Sequence, residues 1–513
     1  MKTDNNAKQD LRFRDIWKTD LLSGFGVSLI ALPLCLAIAT VSGFPPISGI
    51  ITVIIGGVFA SHFSGSHITV SGPASGLIVI NLHIVSVLGD VEQAIAAIAL
   101  AGVLIFLLGF FKVGKLSDFF SSSVVKGMLA WIGIIIIIKQ LFPALGVNMK
   151  SASILDSVLS IPNIFPNINF SIAIISGISL LILIIHPILK VKIIKIIPAP
   201  LWMLFTAILI ENMIKLPPEA LMKILNNLIE SIQFTNFSKI NSYLFWMAII
   251  SIAVITSLES LLSTSSMDSL DPLKRKSDLH KDLSAIGTGS NMAFAIGGLP
   301  LISEIVRSSA KISPGGKTQW SNFLHAGFLV VCVVLGSFLI AQIPIAALAV
   351  MLIMVGFKLA SPKQFMSIYK MGYIEFIPFI AKIIGVLLID PLIGIVIGIL
   401  VEFMIHSLKG FPISKRFAAR YTISKHVDHI KLNVNGAIIF SNYYMSLKKQ
   451  ILFLSNENNL VIDFTKVTYL SSSASTKITN LMNNFSIKGQ EIKIINTNHL
   501  IKHAFCKKEM DTV

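Results

Sequence analysis

The stretch 94–111, AIAAIALAGVLIFLLGFF, contains no charged side chain and approaches the length of a helix that crosses a bilayer. The same character extends on both sides, because only Asp90 and Glu92 are charged between Leu21 and Phe111. Of the 513 residues, 54% are hydrophobic and 13% are charged, and the mean hydropathy is +0.79. Soluble domains have roughly 25% charged residues. The composition therefore excludes a soluble enzyme over most of the chain and excludes a disordered chain, and it predicts a polytopic α-helical membrane protein.

About fourteen segments are candidates for membrane spans. Most are continuous apolar runs, and these lie at 22–42, 46–62, 94–111, 124–142, 168–188, 198–214, 243–263, 320–341, 344–358, 373–389 and 391–408. The others are shorter or are interrupted by glycine and proline, and these lie at 72–88, 283–297 and 300–311.

The net charge of +16 follows the same organisation. Lysine and arginine are concentrated in the segment 1–20 and in the loops after even-numbered spans, among them the loop to which Lys311 and Lys317 are assigned. Asp90 and Glu92 lie in a loop on the other side. This positive-inside pattern predicts a multi-pass protein of the inner (plasma) membrane with both termini in the cytoplasm. It also removes the reason to expect a nucleic-acid partner.

Several chemistries are missing from the sequence. The cysteines Cys35, Cys332 and Cys506 form no pair that suggests a disulfide or a metal site. No phosphate-binding loop, no His-Glu-x-x-His zinc motif and no nucleophile elbow occurs. The sequence thus favours neither an enzyme nor an ATP-driven pump, and it predicts no cofactor apart from a coupling Na⁺ or H⁺.

The chain changes character near Lys415, where the long apolar runs end. Beyond 427, short apolar segments such as Leu460–Phe464 alternate with segments that favour helix, which predicts a small α/β domain with a largely parallel sheet. The predicted organisation is a cytoplasmic segment 1–20, a transmembrane transport domain 21–410, a linker 411–426 and the α/β domain 427–513.

The first interrupted segment reads ITVSGPASG from Ile68 to Gly76. Thr69 and Val70 favour an extended backbone, and Pro73 is well tolerated in the first turn of the helix that follows. A helix that begins inside the membrane leaves backbone N–H groups unpaired, and an anion can accept hydrogen bonds from them. Ser71 adds a hydroxyl donor. The alternative is an ordinary span whose small residues serve helix packing.

The second interrupted segment, GGLPLISEIVRSS from Gly297 to Ser309, repeats this pattern in the second half of the chain. Two broken segments at corresponding positions indicate an inverted-repeat transporter with a binding site at the midplane. Arg307 would supply a fixed positive charge to that site, and Glu304, three residues earlier, could pair with it. The alternative for Arg307 is an arginine that extends to the cytoplasmic surface.

Two further features point to the same region. Glu259 is the only acidic residue between Leu244 and Met267, and a carboxylate inside a membrane is a functional candidate by default. It could bind Na⁺ together with Ser263 or take up a proton, or it could be a structural carboxylate between helices. Pro33 lies inside the first span, where it either kinks the helix or opens the wall of a binding pocket.

Taken together, these motifs resemble the SulP family of anion transporters with a C-terminal STAS domain. The resemblance rests on the proline in the first span, Ser71-Gly-Pro73, Ser257-Leu-Glu-Ser260, Gly287-Thr-Gly-Ser-Asn291 and Gly297-Gly-Leu-Pro300 with Arg307. It implies fourteen spans in two inverted seven-span repeats, divided into core and gate domains, in a homodimer that works by an elevator-like movement. It also implies that the STAS domain could contact a cytoplasmic partner protein.

The resemblance carries specific site residues over to this sequence. The implied anion site lies between the N-termini of helices three and ten and comprises Ser71, Gly72, Ala74, Leu301, Ile302, Ser303 and Arg307, with Leu34 and Ile38 of span one. The implied cation-coupling residues are Glu259, Ser263 and Glu304.

The sequence departs from the family pattern at several positions. Leu34 and Ile38 stand where many members have glutamine and an aromatic residue, which resembles the bicarbonate-type branch more than the sulfate-type one. In the STAS motif DFTKVTYLSSS, from Asp463 to Ser473, Ser471 replaces the usual aspartate, so Ser472 is interpreted as a helix cap instead of a phosphorylation site.

The sequence therefore predicts a secondary active transporter of bicarbonate or sulfate, coupled to Na⁺ or H⁺ through Glu259. The alternatives are a nucleobase-type proton symporter, an uncoupled anion channel and a STAS-based signalling scaffold.

Overall fold

The computed structural model describes residues 13–114, 122–147, 154–189, 191, 197–222, 235–268, 270–312, 314–388, 391–408, 418–425, 429–454, 460–471, 474–475, 478–479, 481 and 492–495. These residues divide into two compact units. The first comprises 1–115 and 132–360, and the second comprises 116–131 and 361–513.

Within the described residues, a helix forms at each of the fourteen segments that the sequence predicts as spans. The helices are α1 (Phe13–Val41), α2 (Pro46–Phe63), α3 (Ser75–Leu88), α4 (Val91–Phe110), α5 (Ser122–Ala144), α6 (Phe170–Ile185), α7 (Ala199–Ile214), α8 (Tyr243–Asp268), α9 (Leu279–Phe294), α10 (Ile305–Ile312), α11 (Trp320–Ala341), α12 (Ile345–Leu359), α13 (Tyr373–Leu388) and α14 (Pro391–Leu408).

Not every one of these helices is long and apolar enough to cross a membrane alone. Among the described residues five meet that condition, namely Trp17–Val41, Pro46–Phe63, Val91–Phe110, Tyr243–Asp268 and Ile345–Lys370, and a sixth results if Ile161–Asn167 and Phe170–Ile185 count as one bent span. The polytopic helical class is thus confirmed, and the number of fourteen spans stays a prediction.

The first helix is longer than the predicted span, and it continues through its proline. It begins at Phe13, inside the segment predicted to be cytoplasmic, because the helical pattern continues through the polar residues before Leu21. Pro33 lies inside α1 without ending it. The proline was predicted either to kink the helix or to open the wall of a binding pocket. Either role would have to be played within a continuous helix.

In the first unit, short strands precede α3 and α10. Strand β1 (Val70–Pro73) pairs antiparallel with strand β2 (Leu301–Glu304). Helices α1, α2, α8 and α9 pack around this two-stranded ribbon. Gly287 of the predicted motif lets α9 pack closely against α4, since a Cβ at that position would be 2.7 Å from Cα of Phe106.

The second unit contains a four-stranded sheet formed by β3 (Arg420–Lys425), β4 (Ile430–Ile438), β5 (Leu460–Leu470) and β6 (Ile492–Ile495). β3 and β4 are antiparallel, whereas β4, β5 and β6 are parallel. Buried side chains of the sheet pack against a helix, α15 (Lys448–Leu454), and include Leu432, Ile451, Ile462 and Phe464. The predicted α/β character is therefore confirmed.

One boundary of this domain was wrong. Residues 420–425 were assigned to the linker, yet they form β3, because their backbone pairs with β4 from Arg420↔Asn435 to Lys425↔Ile430. Ser472, interpreted as a helix cap, lies outside the described residues.

Candidate functional site

The β1–β2 ribbon joins the two interrupted segments of the sequence. Ser71 pairs with Ser303, and Gly72 pairs with Ile302. Helix α3 starts two residues after β1, and α10 starts directly after β2, so two half-helices begin at one ribbon. The structure thus brings the predicted residues of spans three and ten together.

Hydroxyl groups of three helices hold the backbone of the second segment. Non-helical backbone at membrane depth requires hydrogen-bond partners from the protein, because lipid offers none. The N–H groups of this segment donate to hydroxyls of α2, α9 and α8 in the pairs Leu299–Thr52 (2.6 Å), Leu301–Ser290 (3.2 Å) and Ser303–Ser260 (3.2 Å). The protein therefore holds the backbone of this glycine- and proline-rich segment in a defined conformation.

An ion pair lies on one face of the ribbon. The Arg307 side chain is fully buried, and its Nε donates to Oε2 of Glu304 at 2.6 Å. Its Nη2 donates to the Pro73 carbonyl, and its Nη1 is 3.7 Å from Sγ of Cys35. The predicted pairing of Glu304 with Arg307 is confirmed, whereas the alternative that Arg307 extends to the surface is wrong.

Gly72 makes this arrangement sterically feasible. A Cβ at Gly72 would be 2.8 Å from Cζ of Arg307, so any larger residue would collide with the guanidinium. Residues that pair directly across a ribbon share a face, and successive residues alternate between faces. Gly72 and Glu304 therefore belong to the Arg307 face, and Ser71 and Ser303 belong to the opposite one.

The opposite face contains a carboxylate that the sequence did not reveal. Asp282, in the first turn of α9, is fully buried and accepts hydrogen bonds from the hydroxyls of Ser64 (2.5 Å), Thr264 (2.6 Å) and Ser303 (3.2 Å). In the sequence Asp282 follows Lys281 in a charged stretch, which is typical of a solvated loop. Ser71 Oγ, on the same face, is buried and has no hydrogen-bond partner within the described residues.

The side chain of Glu259, a residue of α8, lies against the start of the half-helix α3. Its side chain is buried, and a Cβ on Gly76 would be 2.5 Å from its Cδ. Its Oε2 has no hydrogen-bond partner in the part of the chain that the structure describes. Ser263, one turn later on α8, is also buried. Within the described residues no side chain caps the first turn of α3, whose N-cap residue is the buried Ala74.

For the residues predicted on α1, the structure shows burial next to the ribbon and α10. Leu34 and Ile38 are both buried, and α1 packs against α10 and β1. Cys35 of α1, for which the sequence predicted neither a disulfide nor a metal site, contacts Arg307 instead. A single thiol among apolar neighbours carries no signal that would have distinguished it.

Lys311 departs most clearly from its prediction. It was assigned to a loop, yet it lies in the last turn of α10 and is fully buried. Its Nζ donates to Oδ1 of Asn322 (3.0 Å) and to the carbonyl of His67 (3.3 Å). The assignment was wrong because α10 is short and the neighbouring helix α11 covers its end with Asn322.

The chain is similar to known proteins over most of its length. The model of the sulfate permease family matches residues 17–382. The chain is 24% identical to the putative sulfate transporter YvdB of Bacillus subtilis, over 93% of this chain and 91% of that protein. It is 23% identical to the bicarbonate transporter BicA of a Picosynechococcus strain, over 94% of this chain and 89% of that protein.

A solved structure shares the fold of the membrane region. The transmembrane domain of a cyanobacterial bicarbonate transporter BicA superimposes with a TM-score of 0.66 at 22% sequence identity. The match covers 74% of this chain and 97% of that domain.

Proposed function

The chain belongs to the sulfate permease family, and on this basis we propose that it is a secondary active transporter of a small inorganic anion, bicarbonate or sulfate. Its membership makes it a multi-pass anion transporter and not an enzyme. It also argues against the nucleobase-type symporter. The observation that supports the substrate site is the uncapped start of α3 at the β1–β2 ribbon.

The anion would bind at this start of α3. Backbone N–H groups in the first turn of a helix have no partner inside the helix, and the helix dipole favours negative charge there. Ser71 contributes a buried hydroxyl without a partner among the described residues. Ala74 and the β2 residues Leu301 to Ser303 would form the apolar and backbone walls, with Leu34 and Ile38 behind them.

Glu259 would couple the anion to a cation. Two negative charges about 4 Å apart repel each other by about 4 kcal/mol at an effective dielectric constant near 20, which corresponds to roughly a thousandfold in affinity. An ionised Glu259 beside the start of α3 would therefore oppose anion binding. Na⁺ bound at Glu259 and Ser263, or a proton taken up by Glu259, would remove this opposition and make the two ions bind together.

The rest of the proposal follows from the family resemblance. We place the protein in the inner membrane with both termini in the cytoplasm, as a homodimer that alternates access by an elevator-type movement. The α/β domain would be a STAS domain that contacts a cytoplasmic partner. A role as signalling scaffold alone would leave the buried Glu259 and the ribbon without a purpose.

Uptake into proteoliposomes tests the proposal. The purified protein should accumulate labelled bicarbonate or sulfate against its concentration gradient when an inward Na⁺ or H⁺ gradient is imposed. Transport that only equilibrates the anion would instead identify an uncoupled channel. Absence of uptake of both anions under either gradient would refute the proposed function.

A further inference from the structure

We propose that Glu304 is an internal anion that occupies the α10 half of the binding region and thereby makes the transporter selective for monovalent anions over divalent ones. This inference rests on the proposed function and adds a specificity-determining residue to it. Three observations support it, and they concern the hydrogen bonds of Glu304, its burial and the contrast between α10 and α3.

The first observation is that one carboxylate oxygen of Glu304 accepts two hydrogen bonds at the start of α10. Oε2 of Glu304 accepts from Nε of Arg307 at 2.6 Å and from the backbone N–H of Arg307 at 3.4 Å. Glu304 directly precedes α10, so the second contact is that of an N-cap residue. A backbone donor and the guanidinium, the two groups that would attract an anion at this helix, are therefore already bound to a carboxylate of the protein.

The second observation is that the pair is isolated from water. Glu304 is 7% exposed and Arg307 is 0% exposed. The remaining nitrogens of the guanidinium face the Pro73 carbonyl and Sγ of Cys35. A buried pair that is held on several sides does not separate readily, because an unpaired charge in the interior is strongly destabilising. A substrate anion would consequently meet a neutralised Arg307.

The third observation is the asymmetry between the two half-helices. Among the described residues, the start of α3 has no side-chain cap and the hydroxyl of Ser71, on the preceding strand, has no partner, whereas α10 begins at the carboxylate of Glu304. A ligand at the α3 end would therefore compete with no capping side chain of the described residues. With the charges of Arg307 and Glu304 cancelled, and with Glu259 neutralised by its cation as in the proposed function, one helix dipole and neutral donors remain for the substrate.

The charge balance determines which anion this arrangement favours. Coulomb energy scales with the product of the charges. When a positive charge of the site is cancelled, a divalent anion therefore loses twice as much electrostatic attraction as a monovalent one. Removing the charge of Glu304 would make the site more positive by one unit. This change would benefit a divalent anion more than a monovalent one.

The test compares the wild type with Glu304→Gln. Labelled bicarbonate serves as the monovalent probe and labelled sulfate as the divalent one, and each is also used to compete with uptake of the other in proteoliposomes. The wild type should prefer bicarbonate. Glu304→Gln keeps the side-chain shape and an acceptor oxygen for Arg307, and it should raise the affinity ratio of sulfate to bicarbonate at least about tenfold.

Two further variants serve as controls. Glu304→Asp retains the charge and should keep the preference for bicarbonate even if the rate falls. Glu211→Gln removes the charge of an equally buried carboxylate, 8% exposed, on α7, and it should leave the ratio unchanged.

A second readout covers the case in which Glu304→Gln does not transport. A bound anion raises the temperature of unfolding in detergent according to its affinity. Sulfate should stabilise Glu304→Gln more than it stabilises the wild type, and bicarbonate should do so less markedly. A wild type that prefers sulfate would overturn the inference, as would a Glu304→Gln variant with an unchanged anion ratio in uptake and in stabilisation. A wild type that transports neither probe would refute the proposed function itself.

Discussion

The carboxylate of Glu259 lies directly against the backbone of Gly76, in the first turn of α3. A Cβ on this glycine would be 2.5 Å from Cδ of Glu259, which is far inside van der Waals contact. The only ionisable group that the sequence places in the middle of α8 is thus next to the uncapped start of a half-helix. An anion and a coupling cation at these positions would be immediate neighbours.

Gly76→Ala should weaken cation coupling without unfolding the protein. The new methyl group would meet the end of a flexible side chain, so Glu259 can turn away at small energetic cost. We expect the variant to unfold within a few degrees of the wild type in detergent. Its anion uptake should lose most of its dependence on a Na⁺ or H⁺ gradient. Uptake with wild-type gradient dependence would contradict this prediction.

Glu259→Gln should abolish the gradient dependence altogether. The amide has nearly the same shape but can neither bind a proton nor attract Na⁺, so the anion would no longer need a cation to neutralise the site. Exchange of anion across the membrane at equal cation concentrations should persist. Both processes are measured with labelled bicarbonate and labelled sulfate in proteoliposomes.

Glu211→Gln provides the matched control for Glu259, because Glu211 is a buried carboxylate on a different helix of the same unit. Its uptake should keep the gradient response of the wild type. If the response also survives in Glu259→Gln, the coupling role of Glu259 is wrong.

Gly72→Ala should impair both folding and transport. The added methyl group would be 2.8 Å from Cζ of Arg307, and the guanidinium cannot move aside because Glu304 and the Pro73 carbonyl hold it. Overpacking of this kind costs about 1–3 kcal/mol. We expect a lower unfolding temperature in detergent and at least about a tenfold loss of uptake, since the ribbon would be displaced.

Gly26→Ala is the control for that substitution. Gly26 lies in α1, and a Cβ built on it would meet no described residue outside the backbone of its own helix within 4 Å. The variant should transport at the wild-type rate and unfold at or slightly above the wild-type temperature, because alanine favours helix. Equal behaviour of the two alanine variants would show that the Arg307 contact does not constrain position 72.

Asp282→Asn should destabilise the ribbon from its other face. The carboxylate accepts from Ser64 on Oδ1 and from Thr264 and Ser303 on Oδ2, so an amide must present a donor to one of these groups. A buried group that loses its partner costs about 1–3 kcal/mol. The unfolding temperature in detergent should fall, and uptake should decrease because Ser303 is no longer held. Asp90→Asn, at an exposed position, should change neither quantity.

Local pattern was sufficient for part of the site. The spacing of Glu304 and Arg307 predicted their pairing, and the structure confirms it, because residues three apart come together where the backbone enters a helix. The two glycine- and proline-rich segments likewise identified the places where helices begin inside the membrane domain. Both inferences depend on backbone chemistry that operates over a few residues.

Other members of the site left no local signal. Asp282 reaches Ser303 only because α9 packs against the ribbon, and Cys35 reaches Arg307 only because α1 packs against α10. Lys311 resembles the basic residues of cytoplasmic loops, and it is buried because Asn322 and the carbonyl of His67 enclose it. Each of these contacts joins residues that are distant in the chain.

By itself, the sequence determined that this protein is a polytopic helical membrane protein with a small α/β domain, and it identified two interrupted helices and one buried carboxylate as candidates for chemistry. These conclusions follow from hydropathy, which reports the cost of placing charge in lipid, and from the backbone constraints of glycine and proline. Only the tertiary structure decided that the two interrupted segments form one antiparallel ribbon, that Glu304 neutralises Arg307 at the start of α10, and that Glu259 lies against the start of α3. The physical reason is that burial and pairing of charges depend on which distant segments pack together, and hydropathy along a single segment contains no record of its partner.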